Sequence, residues 1–199
     1  MNLHKNNTLI ILDWDDTLFP TSWVNRNGID IVNINKTSYI KFFEKIDISL
    51  NKLFSNLVGL GDIIVITNAL LNWIEISSKI LPRTGGLLKN IRFISARGEY
   101  SSVTDDINEW KKHAFINELG KKTHYKKINN IISVGDAEYE YSALINLHNK
   151  DINRLLKAVK FIKYPDNHSI YEQINILNDS IQNICLYPGH LDLRINKNN

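Results

Sequence analysis

Five short apolar runs, each bounded by turn or acidic residues and separated by amphipathic stretches, constrain this chain more than any other feature. They are TLIILD (8–13), DIIVITN (62–68), IRFISA (91–96), NIISVGD (130–136) and LLKAVKFI (155–162). Such alternation is the pattern of a parallel sheet with helices on both faces, so an α/β fold with about five strands is expected. The first four runs read as interior strands, whereas the lysines of the fifth suggest an edge. Phe42, Ile46, Leu50, Leu53 and Leu57 recur at helical spacing and stop at Gly59 to Gly61. LLNWIEISSKIL, INEWKKHAFINEL and EYEYSALINLH supply further helices, and the stripe Ile170, Ile174, Leu177, Ile181, Ile184 predicts a last one over the sheet. The segments 83–90 and 97–108 read as loops, and 19–37, polar and punctuated by Pro20 and Gly28, reads as a flap or short hairpin over the sheet's end. No boundary or internal repeat interrupts the 199 residues, a length suited to one domain spanning 1–199.

Composition removes several partners from consideration. The net charge is +3 without a clustered Lys/Arg stripe, so there is no strong nucleic-acid signal. Cys185 is the only cysteine, which leaves no disulfide and no thiolate metal site. No apolar run approaches the roughly 18 residues of a membrane span, and the N-terminal stretch lacks a signal-peptide core. A cytoplasmic protein without a membrane partner is expected. Oligomeric state is not legible.

In an open parallel sheet, ligands bind beyond the carboxyl ends of the strands. The residues there are Asp13 and Asp15, Thr67 and Asn68, Ser95 and Arg97, then Gly135, Asp136 and Glu140. Asp13 and Asp15 in DWDDT can converge on one small volume, where two carboxylates repel and one is driven toward its neutral form. A divalent cation relieves that repulsion, and Mg²⁺ takes hard oxygen ligands of this kind together with water and a phosphate. Asp136 adds a third carboxylate, and Glu140, one helical turn on, could orient it or a bound water.

In this order, ILDWDDTL, IIVITN, the lysine of EWKKHAF and IISVGDAEYE resemble the four motifs of the haloacid dehalogenase superfamily of phosphatases and phosphotransferases. The resemblance covers most of the chain and implies a Rossmann-like three-layer fold, with 19–37 as a minimal cap. It implies that Asp13 is a nucleophile that forms an aspartyl-phosphate and that Asp15 is the general acid, then base. Thr67 and the amide of Asn68 would hold phosphate oxygens, and Lys111 would neutralise the crowded anions. Mg²⁺ would bind the side chains of Asp13 and Asp136 and the backbone carbonyl of Asp15, while Thr17 braces the loop. Lys111 is favoured over Lys112, which faces about 100° further round the helix, because it begins KxxxF, a spacing that the resemblance associates with the third motif.

The implied activity is a Mg²⁺-dependent phosphomonoester hydrolase. Its substrate is a phosphorylated small molecule, a phosphoprotein or a polynucleotide end, since neither usual cap position holds a full domain. A phosphotransferase and a metal-binding interaction module without turnover are the alternatives. A two-component receiver would need its carboxylate after the third strand, where the chain reads ISARG instead. Asp16 is expected to be an exposed loop residue, and Arg97 either a phosphate contact or a surface ion pair. Trp14, Trp23 and Phe19 line the entrance or pack in the core, with the core expected for at least one. Of Tyr139 and Tyr141, one should be buried and one partly exposed. His113, His124, His148, His168 and His190 lack metal-ligand spacing and are expected to be structural or solvent-facing.

Overall fold

The computed structural model describes residues 3–121, 127–150 and 153–196. Six parallel strands, β1 (Thr8–Leu12), β2 (Asp62–Thr67), β3 (Arg92–Ser95), β4 (Asn130–Gly135), β5 (Leu155–Lys160) and β6 (Leu191–Arg194), form one sheet in the order β3-β2-β1-β4-β5-β6. Eight helices connect them: α1 (Thr21–Arg26), α2 (Thr37–Leu60), α3 (Leu71–Ser78), α4 (Pro82–Leu88), α5 (Ala96–Tyr100), α6 (Ile107–Lys121), α7 (Glu138–Lys150) and α8 (Asn167–Leu186). Alternate strand residues point to opposite faces, so Ile10 and Leu12 meet the layer of α2, α4 and α8. Leu9 and Ile11 meet the layer of α5, α6 and α7. The result is the expected three-layer α/β architecture, with one strand more than the sequence indicates.

That sixth strand changes the reading of the fifth. β5 lies between β4 and β6, with Lys157 opposite both Ile132 and Leu191, so it is interior. The edges are β6 and, contrary to expectation, β3. Lys157 is wholly buried and donates from Nζ to the Cys185 carbonyl at 2.8 Å, a contact that strand composition cannot reveal.

Two expected loops are partly helical. Residues 83–90 fall largely within α4, whose first turn is capped from a distant element: the buried Asp47 carboxylate on α2 accepts from Arg83 N at 2.9 Å and Thr84 N at 2.8 Å. Within 97–108, α5 runs to Tyr100 and α6 begins at Ile107; Ser95 caps α5, its hydroxyl accepting from Gly98 N at 2.9 Å. In 19–37, α1 and a following loop replace any hairpin. Trp23, Val24 and Ile29 are buried, with Trp23 edge-on to Phe42 at 4.7 Å between centroids.

The strand order positions the site. From β1 the chain winds to β2 and β3 on one side, then returns to build β4, β5 and β6 on the other. The reversal lies between β1 and β4, the place where an α/β sheet opens a crevice at its carboxyl edge. At the opposite edge, a Cβ on Gly61 would stand 2.8 Å from the Thr8 carbonyl, so the glycine permits α2 to turn tightly into β2.

Candidate active site

Asp13 directly follows β1, and its amide continues the ladder to the Val134 carbonyl at 2.9 Å, which holds it against β4. The chain then folds back on itself. The Trp14 carbonyl accepts from Leu18 N and Phe19 N, both at 2.9 Å, and Asp16 N donates to the Phe19 carbonyl at 2.7 Å. Asp16 adopts φ +56°, a left-handed conformation that Asp tolerates better than most residues. It is not an exposed loop residue as expected: its carboxylate is buried and accepts from Ser22 N at 2.8 Å, in the first turn of α1. Burial raises the Asp16 pKa against the pull of those hydrogen bonds.

Lys111, in the first half of α6, reaches into this turn. Its Nζ stands 2.5 Å from Asp13 Oδ1 and 2.5 Å from Glu140 Oε1, and the side chain is 0% exposed. Lys112 instead pairs with Glu109 at 2.5 Å on the helix surface. Burial alone would favour a neutral amine at Lys111, but Asp13 and Glu140 outweigh it and raise the pKa, so the ammonium is retained. Burial pushes the Asp13 carboxyl upward, while the Lys111 charge opposes that push. Glu140 is itself fixed, since Oε2 accepts from Ala137 N at 2.8 Å. A Cβ on Gly135 would lie 2.5 Å from Glu140 Cγ, so only glycine lets Glu140 fold back under the strand end.

Asp136 follows β4 and is 5% exposed. Burial, then Glu140 and Asp16, push its carboxyl up to about 7, against Lys111 and Lys160. Among the described residues no donor reaches its side-chain oxygens. Lys160, at the end of β5, donates instead to the Asp136 backbone carbonyl at 2.8 Å and pairs with Glu138 at 3.3 Å. Sequence reading missed Lys160, because the fifth apolar run extends to Ile162 and puts this lysine inside the strand, whereas β5 ends on it.

Thr67 is fully buried at the end of β2. Its hydroxyl accepts from Ala69 N at 3.0 Å and faces Asp15 Oδ2 at 3.4 Å. Both side-chain polar atoms of Asn68 are shielded from solvent without a protein partner. Asp15 is half-buried, and its Oδ1 accepts from the Thr21 hydroxyl and from Trp73 Nε1, the latter at 2.9 Å. Thr17 Oγ1 lies 3.5 Å from Asp13 Oδ2, a loose contact consistent with a brace. Thus Lys111 links Asp13 and Glu140 directly, while Asp15 and Asp136 join Asp13 through charge. No sequence signal marked Thr21 or Trp73.

The remaining expectations divide. Trp14, Phe19 and Trp23 are all buried, so none lines an entrance; Trp14 stacks on Phe19 and donates from Nε1 to Ser77 Oγ at 3.0 Å. Arg97 is exposed on α5 and makes no ion pair among the described residues. Tyr139 and Tyr141 are both half-buried rather than split, with the Tyr139 ring 5.0 Å from Lys111 Nζ. His113 stacks on Tyr100, His148 meets His190 edge-on, and His168 faces Glu172 at 3.2 Å. His124 lies outside the described residues. Among the described residues, no three His, Cys, Asp or Glu side chains form a ready-made metal group. No described helix is long and apolar enough to cross a membrane.

Chemically, the arrangement offers a buried carboxylate beside a fixed ammonium, a second carboxylate that is half-buried, and side-chain polar atoms of Asn68 without protein partners. Comparison with protein-family models, with curated proteins and with solved structures found no match to this chain.

Proposed function

We propose that this chain hydrolyses phosphomonoesters through an aspartyl-phosphate on Asp13, in the manner of the haloacid dehalogenase superfamily that its four motifs resemble. The observation that carries this reading is Lys111, held without exposure between Asp13 and Glu140 at 2.5 Å each, on a residue nearly a hundred positions from Asp13. Burying an ammonium is costly unless it is fully partnered, and a structural pair could sit at the surface for far less. A cation fixed beside the proposed nucleophile has a purpose if a trianionic transition state forms there.

In the first half-reaction an Asp13 oxygen bonds to phosphorus as the ester P–O bond breaks, and the departing oxygen takes its electron pair and a proton from Asp15. Water then attacks phosphorus, passes a proton back to Asp15, and frees phosphate and the Asp13 carboxylate. Thr67 and the Asn68 amide hold the non-bridging oxygens, and Lys111 offsets their charge. The donor set fits Mg²⁺: Asp13 and Asp136 with the Asp15 carbonyl are hard oxygens, and the Asp136 carboxylate is buried without a donor among the described residues. When bound, the ion supplies charge neutralisation at phosphate.

The test is a panel of sugar phosphates, nucleotides, phosphopeptides and polynucleotide ends, with and without Mg²⁺. Asp13→Asn, nearly isosteric, should reduce turnover by about a thousandfold or more while its circular dichroism stays that of the wild type. Wild-type rates in that variant would remove the nucleophile from the scheme, and an inert wild type across the panel would remove the activity.

A further inference from the structure

Asp15 is gripped asymmetrically. Oδ1 takes two donors, the Thr21 hydroxyl from α1 and the Trp73 indole N–H from α3 at 2.9 Å. Among the described residues, Oδ2 faces only the Thr67 hydroxyl, at 3.4 Å. A hydroxyl can turn and accept a hydrogen bond at the cost of the one it donates, whereas an indole N–H is a donor only. A proton placed on Oδ1 would therefore weaken the Trp73 hydrogen bond that Oδ1 now receives. The Trp73 ring cannot easily turn away, because it packs edge-to-face on Phe19 with centroids 5.8 Å apart, and Phe19 belongs to the same turn as Asp15.

From this geometry we infer that Trp73 is a positioning residue which, with Thr21, confines the transferable proton of Asp15 to Oδ2. The inference rests on the phosphomonoesterase reading and adds to it an address for the leaving group. As Asp13 bonds to phosphorus and the P–O ester bond breaks, the proton moves from Oδ2 to the departing oxygen, which leaves as a neutral alcohol or phenol. That oxygen must then lie on the Thr67 side of Asp15. Two helices outside the four motifs thus set the direction of proton transfer, and α1, the start of the segment expected to act as a flap, is tied to the acid itself.

The experiment compares p-nitrophenyl phosphate with phenyl phosphate. The nitrophenolate leaves readily without a proton, whereas the more basic phenolate depends on general acid catalysis. Trp73→Phe keeps the ring and deletes the N–H. Its loss in kcat should concentrate on phenyl phosphate, so that the ratio of the two rates changes by about tenfold, with KM for both esters little altered. Thr21→Val should move the ratio in the same direction by less, and it decides the matter should Trp73→Phe fail to fold. An unchanged ratio in the folded variants, whether both rates fall together or neither falls, overturns the inference but leaves the phosphatase reading standing. A wild type inert toward both esters removes that reading and the inference with it.

Discussion

Lys111 and Lys157 are both 0% exposed, yet the fold treats their charges in opposite ways. At the carboxyl end of the sheet, Lys111 meets two carboxylates at 2.5 Å each, and its pKa is raised. Under α8, Lys157 meets one uncharged carbonyl, that of Cys185 at 2.8 Å, and burial pulls its pKa down to about 8. Burial alone therefore says little about a lysine. What it faces decides whether the charge is kept, and a fully compensated ion at the ligand-binding edge marks the place where chemistry can use it.

The contrast is most sharply broken by removing each ammonium in turn. Lys111→Met leaves Asp13 and Glu140 buried side by side, with Glu140 retaining, among the described residues, only the Ala137 amide. It should cost about 3–5 kcal/mol by urea denaturation. A change near zero would mean that the carboxylates are compensated by other groups.

Lys157→Met should go the other way. The Cys185 carbonyl keeps a donor in Asn130 Nδ2 at 3.0 Å, so deleting the ammonium strands nothing, and the protein should gain about 2 kcal/mol at pH 7. The sign with pH follows from the direction of the shift. A lysine whose folded pKa lies at about 8, below the ordinary 10.5, binds protons more readily when unfolded. Its penalty is fully present below about pH 8 and disappears as pH rises through 10.5, so the wild type should close the gap on the variant across that window. Parallel stability curves for the two proteins would show that the Lys157 ammonium is as well solvated in the folded chain as in the unfolded one.

Asp47 offers the smallest test, a buried anion partnered by backbone amides rather than by a cation. Asp47→Ala uncaps α4 at Arg83 and Thr84 and should cost about 1–2 kcal/mol, with hydrogen exchange quickening first in α4. Uniform quickening across the sheet would argue that Asp47 does more than cap.

Much of the site was legible because its residues occupy strand ends, and strand ends could be read from short apolar runs. Asp13, Thr67 and Asp136 lie within one residue of the ends of β1, β2 and β4, and the choice of Lys111 over Lys112 rested on the KxxxF spacing of the family that the motifs resemble. The grip on Asp15 was not legible, since Thr21 and Trp73 are 6 and 58 residues away and belong to no recognisable pattern. Asp16 was misread for a related reason: its burial depends on the chain folding back to present the Ser22 amide. α4 was read as a loop because its cap comes from α2, 36 residues earlier.

By itself, the sequence determined the layer architecture, the parallel sheet and the acidic edge, all of which follow from local hydrophobic pattern and from residues adjacent to it. The tertiary structure alone decided which strand lies at the edge, which lysine is compensated, and which oxygen of Asp15 is left to face Thr67. Those outcomes depend on hydrogen bonds and ion pairs between distant segments, and such contacts are specified only once packing has brought the partners within about 3 Å.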